Sequence, residues 1–96
     1  MYVLVVSYSK SPEIVAEHVS THSEWVKKHL SQGNILLVGP KTSKLGGVLL
    51  VKSMEKQQLL DIIAEDSYVK HDVADYQITE FDCKATHNDL EVLKRM

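Results

Sequence analysis

Residues Tyr2–Tyr8, YVLVVSY, form the strongest strand signal of the chain because they are almost all β-branched, aromatic or aliphatic. A strand with one face in water alternates between apolar and polar residues. Here both alternating sets are apolar through the middle, with Leu4 on one face and Val3 and Val5 on the other. The segment therefore predicts a strand that is covered on both faces.

Two helical segments follow this strand. The spacing of apolar residues predicts helices over residues 12–19 and 22–32. Between them, Thr21 and Glu24 fit a capping box, in which each side chain would accept a hydrogen bond from the other's backbone amide. This arrangement places His22 in the first turn of the second helix.

The remaining elements are predicted from the same kinds of signal. In chain order they are a strand at 35–38, a polar loop at 39–47, a strand at 47–54, a helix at 55–65 capped by Ser53, and a strand at 73–81. The order β-α-β-β-α-β, with right-handed crossovers, predicts a ferredoxin-like α+β fold whose antiparallel sheet carries its helices on one face. The predicted domain spans residues 1–82, and residues 83–96 form a polar tail with a weak helical pattern.

The other face of such a sheet would be bare. A chain of 96 residues buries only about 60–65% of its unfolded surface, so it has no second layer to spare. The apolar outer positions of the first and third strands would then expose a larger patch than soluble monomers tolerate. The sequence therefore predicts a homodimer in which two sheets pack face to face.

Composition narrows the classes of partner. The 11 basic and 13 acidic residues give a formal net charge of −2, which argues against nucleic acid or an anionic membrane as the main partner. No apolar run approaches the roughly 20 residues of a membrane span, and no basic leader precedes the first strand. A cytoplasmic protein is expected.

Histidines are the most conspicuous polar residues. His18 and His22 form an H-x-x-x-H pair, but no third ligand has usable spacing and Cys83 is the only cysteine. We therefore expect no metal. His29 is interpreted as a partly exposed residue near the end of its helix, where a positive imidazole interacts well with the helix dipole.

His22 is the best candidate for acid–base chemistry. The partial positive charge of a helix N-terminus favours a neutral imidazole, which can accept a proton. A carboxylate such as Asp66, after the next long helix, can orient such a ring. The alternatives are a half-buried histidine packed beside Trp25 and a solvated aspartate at a helix end.

Several short motifs, in this order and spacing, resemble the YCII-related (YciI-like) family. They are residues 21–26 (THSEWV), Gly33, residues 38–40 (VGP), the glycine pair at 46–47, and residues 65–68 (EDSY). The resemblance implies a dimeric α/β barrel similar to muconolactone isomerase, with an active-site histidine and aspartate that correspond to His22 and Asp66. One characterised branch of the family is a dehydrochlorinase that acts on a chlorinated aromatic ring. This chain departs from the family pattern at Ser67, where proline is usual, and it lacks the arginine often found before the histidine.

Two classes of function remain open. The first is a lyase, isomerase or hydrolase without metal or organic cofactor, in which His22 and Asp66 act on a small cyclic or aromatic molecule. Candidate substrate-binding residues are Trp25 beside the histidine and Ser43 and Lys44 in the loop before the third strand, although the latter two also fit an ordinary solvated loop. The second is a non-catalytic domain that binds a small molecule. A hydrogen bond between His22 and Asp66 at a cavity would favour the enzyme.

Overall fold

The structure, a computed structural model, describes residues 1–96. Its four strands are β1 (Tyr2–Tyr8), β2 (Ile35–Pro40), β3 (Gly46–Val51) and β4 (Ala74–Glu80). Its α-helices are α1 (Pro12–Ala16), α2 (Val19–Ser31), α3 (Lys56–Ala64) and α4 (Ser67–Lys70), and a 3₁₀ helix covers Asn88–Arg95. The sheet is antiparallel with strand order β2-β3-β1-β4. The predicted ferredoxin-like α+β fold is confirmed, with each helical segment divided into two helices.

The covered face of the sheet carries the core. Leu4 of β1 pairs with Leu49 of β3 on one side and with Ile78 of β4 on the other, and cross-strand partners share a face. Trp25 from α2 and Leu59 from α3 belong to the same buried cluster. One layer of helices therefore covers one side of the sheet.

The opposite side of the sheet has no helix against it. We call this surface the helix-free face; its apolar residues are Val3, Val5, Leu37, Val48 and Leu50. Val48 and Leu37 expose 37% and 54% of their surface. One face of β1 is therefore apolar because it lines the core, and the other is apolar because it belongs to this exposed patch.

The predicted capping box does not form. Helix α2 begins at Val19, so Thr21 lies inside it, and the Thr21 hydroxyl donates to the carbonyl of His18 at 3.1 Å. The backbone N–H of His22 also donates to that carbonyl, at 3.0 Å, as in a regular helix. Helix α1 ends at Ala16, and α2 begins three residues before the start that the capping box predicted.

The predicted cap at Ser53 is also wrong. Helix α3 is preceded by Glu55, and the Ser53 hydroxyl instead accepts a hydrogen bond from the N-terminal ammonium of Met1 at 2.8 Å. The backbone N–H of Ser53 donates to the carbonyl of Met96, so both chain ends meet at this residue.

None of the helices is long and apolar enough to cross a membrane.

Candidate active site

A histidine and an aspartate that lie 44 residues apart in the chain meet between α2 and α4. The Nδ1 atom of His22 is 2.7 Å from Oδ1 of Asp66. His22 lies on α2, whereas Asp66 is the residue that precedes α4 and caps it. The imidazole is 19% exposed and the carboxylate is completely buried. The pair therefore presents only its histidine to the surroundings.

The buried carboxylate of Asp66 accepts three hydrogen bonds. Besides His22, its donors are the backbone N–H of Tyr68 on Oδ1, at 3.1 Å, and the hydroxyl of Tyr76 on Oδ2, at 2.6 Å. Burial and the neighbouring carboxylate raise the pKa of Tyr76 far above its usual value, so this hydroxyl stays protonated and donates. A buried charge is tolerated when it is hydrogen-bonded in this way.

The same contacts define the state of the His22 ring. An ionised carboxylate only accepts hydrogen bonds, so in the neutral ring Nδ1 carries the proton and Nε2 keeps the free lone pair. The imidazole also stacks on the ring of Tyr68, with centroids 3.8 Å apart and planes 4° from parallel. Tyr68 in turn meets Tyr8 edge-to-face at 5.8 Å. The hydrogen bond to Asp66 and the stacking on Tyr68 together fix the orientation of the His22 ring.

A cleft of about 470 Å³ opens beside this histidine, between α2 and the covered face of β1, β2 and β3. Its walls are largely apolar and include Val6, Val38, Pro40 and Leu49. The residues with polar side chains among its lining are Tyr8 and Tyr68 and, on α2, His22, Ser23 and Lys27. Ligand sites typically have this volume and this combination of apolar walls with a few polar groups.

The three predicted substrate-binding residues lie outside the lining of this cleft. Trp25 is 6% exposed, and its indole N–H donates to the carbonyl of Ile62 at 2.9 Å, so its ring packs between α2 and α3. Ser43 and Lys44 are exposed in the turn between β2 and β3, where the Ser43 hydroxyl accepts from the N–H of Leu45. The geometry lends these three predictions no support.

The structure adds residues that the sequence analysis did not single out. Tyr76 reaches Asp66 because it faces the helices from β4, opposite Val6 in the ladder. Ser23 and Lys27 line the cleft beside His22. In the sequence, Ser23 and Lys27 are recognisable only by their i, i+4 spacing, which places two polar residues on one side of a helix.

A second polar cluster lies two turns further along α2, near its C-terminal end, and is separate from the cleft. His29 is only 2% exposed, which corrects the expectation of a partly exposed residue. Its Nε2 is 2.9 Å from Oε1 of Glu65, and its Nδ1 is 3.0 Å from the side-chain nitrogen of Asn34. Hydrogen bonds from His29 and then Lys28 hold the pKa of Glu65 below its usual value. This cluster ties α2 to the end of α3.

Comparison with solved structures supports the fold. A search of curated proteins finds no match. Among solved structures, the fold is similar to that of the 5-chloro-2-hydroxyhydroquinone dehydrochlorinase from Burkholderia phenoliruptrix AC1100, determined in complex with 2,5-dihydroxybenzoquinone. The TM-score is 0.68 at 12% sequence identity, over 84% of this chain and 93% of the other.

The sequence model of the YCII-related domain matches residues 1–82, which are the residues that hold the sheet, all four α-helices and the cleft. The 3₁₀ helix at Asn88–Arg95 lies beyond the matched region. The chain therefore belongs to the YCII-related domain family.

Proposed function

We propose that this protein is a cofactor-independent enzyme of the lyase, isomerase or hydrolase type, in which His22 transfers a proton within the cleft and Asp66 orients it. The observation that carries the proposal is the 2.7 Å contact between His22 Nδ1 and the buried Asp66 carboxylate beside the cleft. It leaves Nε2 of His22 as the nitrogen that exchanges a proton with a bound molecule.

The proton transfer follows from the two ring nitrogens. Nε2 of neutral His22 accepts a proton from an acidic hydroxyl or C–H group of the substrate, and the ring becomes an imidazolium. The hydrogen bond from Nδ1–H to Asp66 then joins two opposite charges and stabilises that cation. In the reverse direction Nε2–H protonates a product or a leaving group. The pair thus serves as base and then as acid.

The cleft favours a small ring compound as the substrate. Its volume of about 470 Å³ leaves room for a ring compound, and its valine, leucine and proline walls suit an apolar ring face. The similar dehydrochlorinase was solved with a quinone, which is also a ring compound. Elimination of HCl needs one group to accept the proton while chloride leaves with the C–Cl electron pair, and His22 supplies that group.

The test is a turnover assay with chlorinated and hydroxylated aromatic compounds, followed by chloride release and by ultraviolet absorbance. Wild-type protein should convert at least one of them, whereas His22→Gln protein purified in parallel should not. Because any contaminating enzyme would be present in both preparations, equal rates would contradict the proposal. Compounds that bind in the cleft and are never converted would identify a non-catalytic binding domain instead.

We also propose that the protein works as a homodimer formed through the helix-free face. Support comes from Leu37 and Val48, which are exposed and adjoin partly buried Val3, Val5 and Leu50 in one apolar surface. A charge at the centre of such an interface would be desolvated without a partner, so Val48→Lys is expected to yield a monomer. Sedimentation velocity at micromolar concentration measures this.

The matched control for the dimer is Leu60→Lys on α3, which is 41% exposed on the helical side of the molecule. This variant should sediment as the wild type does. A wild-type protein that sediments as a monomer would refute the dimer, and so would a Val48→Lys protein that remains a dimer.

A further inference from the structure

The charges around the cleft are distributed unevenly. No aspartate or glutamate lines it, and its single lysine is Lys27 on α2. The nearby carboxylate of Asp66 is completely buried and accepts hydrogen bonds from His22, Tyr68 and Tyr76. Among the residues that line the cleft, Lys27 is therefore the only one with a permanent charge.

Lys27 is also free of competing partners. Its neighbour Lys28 pairs with Glu65 at 3.2 Å, and Lys41 donates to Ser7 at 2.7 Å, whereas Lys27 makes no ion pair or side-chain hydrogen bond. An ammonium group without a protein partner can meet an anionic ligand without first breaking an existing bond.

Position along the helix separates this charge from the reacting nitrogen. Lys27 follows His22 by five residues on α2, a rise of about 7.5 Å along the helix axis. Ser23 lies between them on the cleft lining, one helical turn before Lys27. Five residues also rotate the helix by about 140°. Both residues nevertheless line the cleft, so a ring with a substituent at each end contacts both once the flexible Lys27 side chain turns toward it.

We infer that Lys27 is the specificity-determining residue of the cleft, and that the site selects ring compounds that carry a carboxylate or an ionised hydroxyl. This inference rests on the proposed function, because it concerns the same cleft. Lys27 fixes which ligands bind, and it takes no part in the proton transfer assigned to His22. An exposed ammonium attracts an anion through a partly screened field, so we expect about a tenfold preference, weakened by salt.

Benzoate and benzamide provide the test, because they share one shape and differ in charge. Both are titrated into ¹⁵N-labelled protein, and dissociation constants are taken from the shifts of backbone amides that line the cleft. Wild-type protein should bind benzoate about ten times more tightly than benzamide. Lys27→Met should bring that ratio close to one by weakening benzoate alone, and Lys27→Arg should restore it.

Two further proteins make the result specific. Lys28→Met removes the adjacent positive charge outside the cleft and should keep the wild-type ratio. Lys56→Met, at the start of α3 and outside the cleft, should also keep it, which excludes an effect of net charge alone. Raising NaCl from about 20 to about 200 mM should weaken benzoate binding to wild type and leave benzamide binding unchanged.

Each contrary result has its own meaning. Equal affinities in wild type, or a preference that survives Lys27→Met, would overturn the role of Lys27 while the His22 proposal stands on its turnover assay. Shifts confined to residues outside the cleft, or no shifts with either compound at millimolar concentration, would overturn the inference as well. A wild-type protein that prefers benzoate but converts none of the aromatic compounds would support the role of Lys27 and contradict the function proposed for His22.

Discussion

Gly46→Ala is expected to destabilise the protein by about 3 kcal/mol or more, combining overpacking with backbone strain. An alanine Cβ at this position would lie 1.9 Å from the carbonyl oxygen of Val6 and 2.9 Å from its carbonyl carbon. Gly46 also has φ +156°, a conformation that residues with a side chain rarely adopt. Because the obstructing atoms belong to the central strand β1, they cannot turn aside as a side chain would.

Thermal and urea unfolding at one protein concentration measure this effect. For a domain of this length, 3 kcal/mol corresponds to a melting temperature lower by roughly 12–24 °C. The matched control is Gly39→Ala on the neighbouring strand β2, where a Cβ would have no atom within 4 Å. Gly39→Ala should unfold close to the wild-type midpoint. A Gly46→Ala protein as stable as this control would show that β1 and β3 do not approach each other as described.

Gly46 also shows what the sequence can and cannot disclose about the fold. A glycine pair before a strand is visible in the sequence, but the atom that excludes a side chain belongs to Val6, forty residues earlier. Likewise, the strands and long helices follow from local apolar periodicity, and they agree with the structure to within a few residues. The two predicted caps fail because Thr21 and Ser53 found other partners, one within its helix and one at the chain's N-terminus.

The candidate site was also predictable from the sequence only in part. His22 and Asp66 were predicted together from the order of short motifs, and the structure brings them within hydrogen-bond distance. Tyr76 is one of several polar residues on an alternating strand, and only the ladder register with β1 shows that it reaches Asp66. Trp25 follows His22 by three residues, yet its indole N–H bonds to Ile62 of α3 and its ring is not part of the cleft lining.

The contacts of Asp66 show how its charge can be tested apart from its shape. An asparagine at this position keeps an oxygen where Oδ1 lies, and that oxygen still accepts from His22 and from the N–H of Tyr68. Its amide nitrogen then faces the hydroxyl of Tyr76, which can accept instead of donate. Asp66→Asn should therefore fold, since each buried polar group keeps a partner, whereas Asp66→Ala would leave three donors without one.

The catalytic consequence of Asp66→Asn is expected to be far larger than its effect on stability. Without the carboxylate, nothing neutralises the imidazolium that forms when Nε2 of His22 accepts a proton, so kcat should fall by about 10²–10⁴-fold. The Nδ1–H proton resonance of His22 should also move upfield, because a neutral amide oxygen is a weaker acceptor than a carboxylate. Turnover and ¹H NMR measure these two effects independently.

Tyr76→Phe is the graded control for this prediction. It removes only the 2.6 Å hydrogen bond to Oδ2 and leaves both the charge of Asp66 and its bond to His22 in place. We expect kcat to fall by less than about tenfold, the equivalent of one hydrogen bond of about 1 kcal/mol. If Asp66→Asn turned over as fast as Tyr76→Phe, the charge of Asp66 would be irrelevant to the reaction. If the Nδ1–H resonance were unchanged in Asp66→Asn, the two side chains would not be bonded in solution, and the proposed pair would have to be abandoned.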